Sequence, residues 1–269
     1  MAAVSEHTRE IDDLPVFWYS APAPGTPILY LHGVPTSADD WTEFLARGGG
    51  IAVDLPGFGR SGKRGDFDYS IPGYDRFLER FLDVLGEPRV RLVMHDWGGV
   101  GLAFAQRLPE RVERMVLVNL VPFLPGYRWH RVARLWRTRG LGELAMGATT
   151  RTGLRLLSRE ANTAPGPMSD EFIDRVIAYF DHGTQRAILR LYRSAPEEVL
   201  AAAGADLGAC QAPTLIVWGD RDPYIPPSFA DAYGKALPHA TVEHVADAGH
   251  WPWIDRPELI DRIVSFAAG

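Results

Sequence analysis

The sequence predicts an α/β fold: a doubly wound, mostly parallel sheet with an all-helical segment inserted near its middle. Three observations carry this. Short, continuously apolar runs such as Pro27-Ile28-Leu29-Tyr30-Leu31 and Ile51-Ala52-Val53 have the character of strands covered on both faces. Between them lie stretches with apolar residues at helical spacing, joined by short connections, so that strand and helix alternate. That alternation stops at about Val121 and resumes only at Pro213-Thr214-Leu215-Ile216-Val217-Trp218. Residues 122–211, rich in Arg, Leu and Trp, show no strand pattern and are expected to form a helical cap on a core made of residues 1–121 and 212–269.

Taken in order, residues 8–20 read as an edge strand and hairpin, with Pro22, Pro24 and Gly25 supplying the turn behind Phe17-Trp18-Tyr19. The strand at 27–31 ends in His32-Gly33-Val34-Pro35, and Ser37 is placed to cap a helix running to about Ala46. The strand at 51–53 ends in Asp54-Leu55-Pro56-Gly57. Phe77, Leu78, Phe81, Leu82 and Leu85 give a helix over 74–85 that Gly86 stops. Val90 to Met94 is the next strand, and its continuation His95-Asp96-Trp97-Gly98-Gly99 is a sharp turn into a helix over 100–108. A strand at 115–118 closes the first half. After the insertion come the strand at 213–218, a helix from about Ser228 to Leu237, a strand at 242–245 and a last helix over 257–267.

Composition narrows the function classes. With 269 residues, 46% of them hydrophobic, the chain can bury an enzyme-sized core. A net charge of -6, without Lys/Arg interleaved among aromatics, leaves no face for a phosphate backbone, so no nucleic-acid partner is expected. The lone Cys210 excludes an internal disulfide and reads as a small buried hydrophobe before a strand. The start, Met1-Ala2-Ala3-Val4-Ser5-Glu6, lacks a basic region followed by an apolar one, and there is no run of about 18 apolar residues. A soluble, cytoplasmic protein with no membrane partner is the expectation. Nothing fixes an oligomeric state.

In a doubly wound sheet, functional groups gather at the carboxyl ends of the strands. Four such ends carry candidates here: His32-Gly33-Val34-Pro35, Asp96-Trp97-Gly98-Gly99, Asp220-Arg221-Asp222 and Gly249-His250-Trp251. A nucleophile on a tight strand-to-helix turn, followed by an acid and then a histidine, resembles the α/β-hydrolase fold. With aspartate where most of that family has serine, the chain resembles the members with an aspartate nucleophile, the epoxide hydrolases and next the haloalkane dehalogenases. The resemblance spans nearly the whole chain and thins out in the inserted segment.

Chemically, a carboxylate is already ionised at neutral pH and can displace a leaving group from saturated carbon without a base. By resemblance Asp96 is the nucleophile, His250 activates water against the resulting ester, and Asp222 orients the imidazole, with Asp220 as the rival acid. Gly98 and Gly99 supply the small residues the turn needs. The backbone N–H groups of Val34 and Trp97 are the implied oxyanion donors. Asn119-Leu120-Val121 offers no carboxylate at the other acid position known among dehalogenases. Dehalogenases resembling this chain place Asn or Glu at the position of Val34 to hold the halide, whereas Val34 has no side-chain donor. Epoxide hydrolases use cap tyrosines to protonate the leaving oxygen, and Tyr192 resembles the second of these. For its partner, Tyr127 and Tyr179 are candidates, with His130 or His182 as other donors. The paired basic residues of fluoroacetate dehalogenases are missing from 97–106. Trp97, Tyr127 and Trp129 are expected to bind substrate; at helical spacing Trp129, Trp136 and Met146 are read first as ordinary core, with the lining of an apolar pocket as the alternative. The expected function is thus a cofactor-independent hydrolase, without a metal, that opens an epoxide of a small apolar organic substrate with water. Haloalkane dehalogenase and a hydrolase-fold ligand-binding protein without turnover are the alternatives.

Overall fold

The computed structural model describes residues 3–163 and 166–269. Met1 and Ala2 of the N-terminal stretch, and Ala164 and Pro165 of the inserted segment, lie outside the described residues. An eight-stranded sheet organises the chain: β1 Ser5–Ile11, β2 Leu14–Ala21, β3 Ile28–Leu31, β4 Gly50–Val53, β5 Val90–Asp96, β6 Val112–Leu120, β7 Thr214–Gly219 and β8 Ala240–Val245. They lie in the order β1-β2-β4-β3-β5-β6-β7-β8. Pairing is antiparallel for β1 with β2 and β2 with β4, and parallel everywhere else. The strand order reverses beside β3 and β5, which puts the switch point of the sheet at the ends of those two strands.

Helices α1 Thr42–Gly48, α2 Ile71–Leu85 and α3 Gly101–Arg107 fall in the first half. Between β6 and β7 lie α4 Arg131–Arg137, α5 Leu141–Gly147, α6 Arg151–Leu157, α7 Asp170–Tyr179, α8 His182–Ser194 and α9 Glu197–Ala203, with no strand among the described residues. The fold closes with α10 Ser228–Ala236, α11 Pro252–Asp255 and α12 Leu259–Ala268. Alternation along the buried strands sends side chains to two separate layers. Leu29, Leu31, Leu92, Met94 and Ile216 pack in the layer holding α2 and α10, while Ile28, Tyr30, Val93, Val116 and Val217 pack in the layer holding α12.

Three readings need correction. The hairpin turn is Asp12-Asp13, both at positive φ (50° and 61°), not Pro22 to Gly25. Its outer strand β1 is polar and mostly exposed, so hydrophobicity could not mark it. The helix after Ser37 begins as a 3-10 turn, Ala38–Trp41, before α1. The last helix begins at Leu259, with α11 as a separate turn before it.

Candidate active site

Asp96 ends β5 at φ 49°, ψ -119°, a conformation that costs a non-glycine residue of order 1–3 kcal/mol and persists only where the surroundings enforce it. The chain turns at once into a 3-10 turn, Trp97–Val100, and then α3. Two close approaches shape this elbow. A Cβ on Gly98 would sit 2.2 Å from the Leu31 carbonyl oxygen, and one on Gly33 would sit 2.5 Å from Asp96 Cβ and 2.6 Å from Oδ2. Gly99, by contrast, has only Leu120 side-chain atoms at 3.7 Å, an ordinary contact. The requirement for a small residue thus falls on Gly98 and Gly33 rather than on Gly98 and Gly99.

The Asp96 carboxylate is buried. Val34 N–H donates to its Oδ2 at 2.8 Å. Burial raises the Asp96 pKa, opposed by His250 and by the N–H groups of Val34 and Trp97, which favour the charged form. The other oxygen, Oδ1, lies 4.0 Å from His250 Nε2. That is too long for a hydrogen bond, but it leaves the imidazole nitrogen facing the carboxylate.

His250 Nδ1–H donates to Asp222 Oδ2 at 2.7 Å. Burial pushes the His250 pKa down; Asp222, followed by Asp96, outweighs it, and the net shift is upward. Asp222 is fully engaged: its Oδ1 accepts from the N–H groups of Tyr224 (2.7 Å) and Ile225 (3.1 Å). Asp220 is turned away, bonded to His244 at 2.6 Å on the exposed side. The structure therefore brings Asp222, not its rival, to His250.

Sequence reasoning passed over two residues at this point. Asn119, at the end of β6 with φ 42°, donates from Nδ2 to Asp222 Oδ2 at 2.7 Å and accepts from Gly219 N–H at 2.9 Å. A search for a carboxylate there could not find an amide that positions one. His95, beside Asp96, donates from Nε2 to the His250 carbonyl at 2.8 Å and is held neutral by burial.

Above these groups is a cavity of about 590 Å³ lined by Asp96, His250, Val34, Tyr127, Trp129, Trp136, Tyr192 and Tyr224, among mainly apolar neighbours. Tyr192 is buried with its ring edge-on to Trp97 and packed against Trp129 and Trp136. Burial first, then the Asp96 charge, push its pKa far up, so the hydroxyl keeps its proton. Tyr127 and Trp129 line the cavity. Trp97 does not: Trp129 stacks on it and Tyr192 covers it. Its indole N–H has no acceptor in hydrogen-bond geometry, although it lies close enough to the Tyr192 hydroxyl to favour the phenolate. Met146 is buried core outside the cavity wall, Tyr179 packs on Arg60 away from it, and His182 is exposed beside Gln185. Cys210 is a buried free thiol. No helix among the described residues is long and apolar enough to cross a membrane.

Comparison with known proteins agrees with this fold. A family model described as alpha/beta hydrolase fold matches residues 26–257. A haloalkane dehalogenase of Mesorhizobium japonicum is 30% identical, over 94% of this chain and 87% of its own. A cis-3-alkyl-4-alkyloxetan-2-one decarboxylase of Shewanella oneidensis is also 30% identical, over 90% of this chain and 82% of its own. Among solved structures, the haloalkane dehalogenase DbeA from Bradyrhizobium elkani superposes with a TM-score of 0.85 at 27% identity, covering 99% of this chain and 98% of that one.

Proposed function

The chain belongs to the α/β-hydrolase fold family, and from that membership and the cavity around Asp96 we propose that it opens an epoxide to a vicinal diol through an alkyl ester on Asp96. Asp96 Oδ1 attacks a ring carbon, the C–O bond breaks, and the Tyr192 hydroxyl protonates the departing oxygen. His250 Nε2 then takes a proton from water as the water oxygen adds to the ester carbonyl carbon. The N–H groups of Val34 and Trp97 stabilise the oxyanion on Oδ2. Collapse breaks the ester C–O bond, the proton of the added hydroxyl passes to the leaving alkoxide to give the diol, Asp96 is left as the carboxylate, and the proton on His250 returns to the tyrosinate. Asp222 holds the imidazole throughout. In this reading residues 122–211 are a cap over a core of 1–121 and 212–269, and Tyr127 and Trp129 are part of the substrate surface.

The observation that carries the epoxide reading is the protonated Tyr192 on the wall shared with Asp96, in a cavity where Val34 offers a leaving halide no side-chain donor. A haloalkane dehalogenase is the second reading, favoured by the relatives above. Incubation with styrene oxide and with 1-bromohexane separates them. The epoxide reading expects diol that disappears in Asp96→Asn; bromide release without diol overturns it.

A further inference from the structure

Most polar groups of the cavity wall outside the catalytic set are already spent. Trp129 N–H donates to the Ala195 carbonyl at 2.9 Å, and the Thr149 and Ser158 hydroxyls donate to carbonyls of their own helical turns. Arg131 and Glu160, at the exposed edge, pair with each other at 3.3 Å. His130 is different. Its Nδ1 accepts the Ala133 N–H at 3.4 Å, and its ring is neutral at pH 7, because burial pushes its pKa down to about 4. A neutral imidazole that accepts at Nδ1 carries its proton at Nε2. No protein acceptor meets that N–H among the described residues, and His130 forms part of the cavity wall. The Tyr224 ring packs against both histidines, 4.9 Å from His130 and 5.1 Å from His250. His130 and His250 thus share one aromatic neighbour and line the same cavity.

We propose that His130 Nε2–H is a polar subsite in this wall, and that the substrate is a neutral bifunctional molecule with a hydrogen-bond acceptor, such as a ketone or ester carbonyl, a few bonds from the carbon Asp96 attacks. This rests on the reading of the cavity as the substrate site of Asp96. An apolar wall disfavours such an acceptor unless something pairs with it, so one donor in the right place decides between two molecules of equal shape.

The test uses a matched pair, 5,6-epoxyhexan-2-one and 1,2-epoxy-5-methylhexane, with equal heavy-atom counts and the carbonyl insulated from the epoxide. Their binding to Asp96→Asn protein is followed by tryptophan fluorescence, since Trp129 and Trp136 line the cavity. Adding His130→Phe should weaken ketone binding relative to the alkane by roughly fivefold to tenfold, the effect of one neutral hydrogen bond. His130→Asn, which keeps an N-cap for α4 but is too short to span the same gap, should behave alike. An unchanged ratio in both variants overturns the subsite. Because the readout is binding, the epoxide reading fails separately: a His130-dependent preference without diol formation by the intact protein would reject that reading and leave the subsite standing.

Discussion

Replacing Gly33 by alanine tests the elbow where the backbone meets the Asp96 side chain itself. The added Cβ would lie 2.5 Å from Asp96 Cβ and 2.6 Å from Oδ2, against an ordinary carbon contact of about 3.5–4.0 Å, so one partner must yield by roughly 1 Å. Asp96 has little room to do so. Its Oδ2 is held by Val34 N–H, its backbone is fixed at positive φ between β5 and the turn, and Gly98 is lodged against the Leu31 carbonyl. A displacement of about 1 Å at a reacting group costs on the order of 100-fold in rate, and overpacking a full site costs about 1–3 kcal/mol. Gly33→Ala should therefore lose roughly 100-fold in kcat, on whichever of styrene oxide or 1-bromohexane the protein turns over, and melt several degrees lower. Gly99→Ala is the control, because its Cβ meets only ordinary contacts at 3.7 Å; it should stay within about twofold in rate and about 0.5 kcal/mol in stability. Equal behaviour of the two variants would refute the assignment of the steric constraint to Gly33.

The pH dependence follows from His250. In the free protein Asp222 and Asp96 outweigh burial and raise its pKa above the ordinary imidazole value; the neutral form is the base, so ester hydrolysis should rise with pH as His250 loses its proton. Alkylation removes the Asp96 charge, so the acid limb of hydrolysis should lie below the His250 pKa measured by NMR in the free protein; a limb above it would contradict the charge account. Asp222→Asn should lower the NMR value and slow hydrolysis, because an amide cannot stabilise the imidazolium. Asn119→Ala leaves Asp222 Oδ2 without one donor and Gly219 N–H without its acceptor, a loss of about 1–3 kcal/mol by denaturant melts. A change under about 0.5 kcal/mol would show that the network relaxes without cost.

The sheet and the candidates Asp96, Asp222 and His250 were legible because each signal is local. Apolar runs mark the buried strands; Asp96 closes β5, and Asp222 and His250 follow β7 and β8. β1 was not legible, since an exposed edge strand such as Ser5–Ile11 has no face to bury and no hydrophobic pattern to show. Asn119 and His95 were missed for another reason: their roles come from contacts more than 100 residues away, Asn119 to Asp222 and His95 to His250, which no sequence spacing encodes. Trp97 shows the converse. It stands beside the nucleophile in sequence, yet Trp129, from the inserted segment, lies stacked over it.

The central claim is a covalent bond to Asp96, and intact-mass spectrometry of His250→Gln protein incubated with styrene oxide or 1-bromohexane tests it directly. Without a base to activate water the ester should persist, as one equivalent of added styrene oxide or hexyl mass mapping to the peptide that contains Asp96 and absent from a further Asp96→Asn variant. No adduct from either compound, or an adduct that survives Asp96→Asn, would contradict the account.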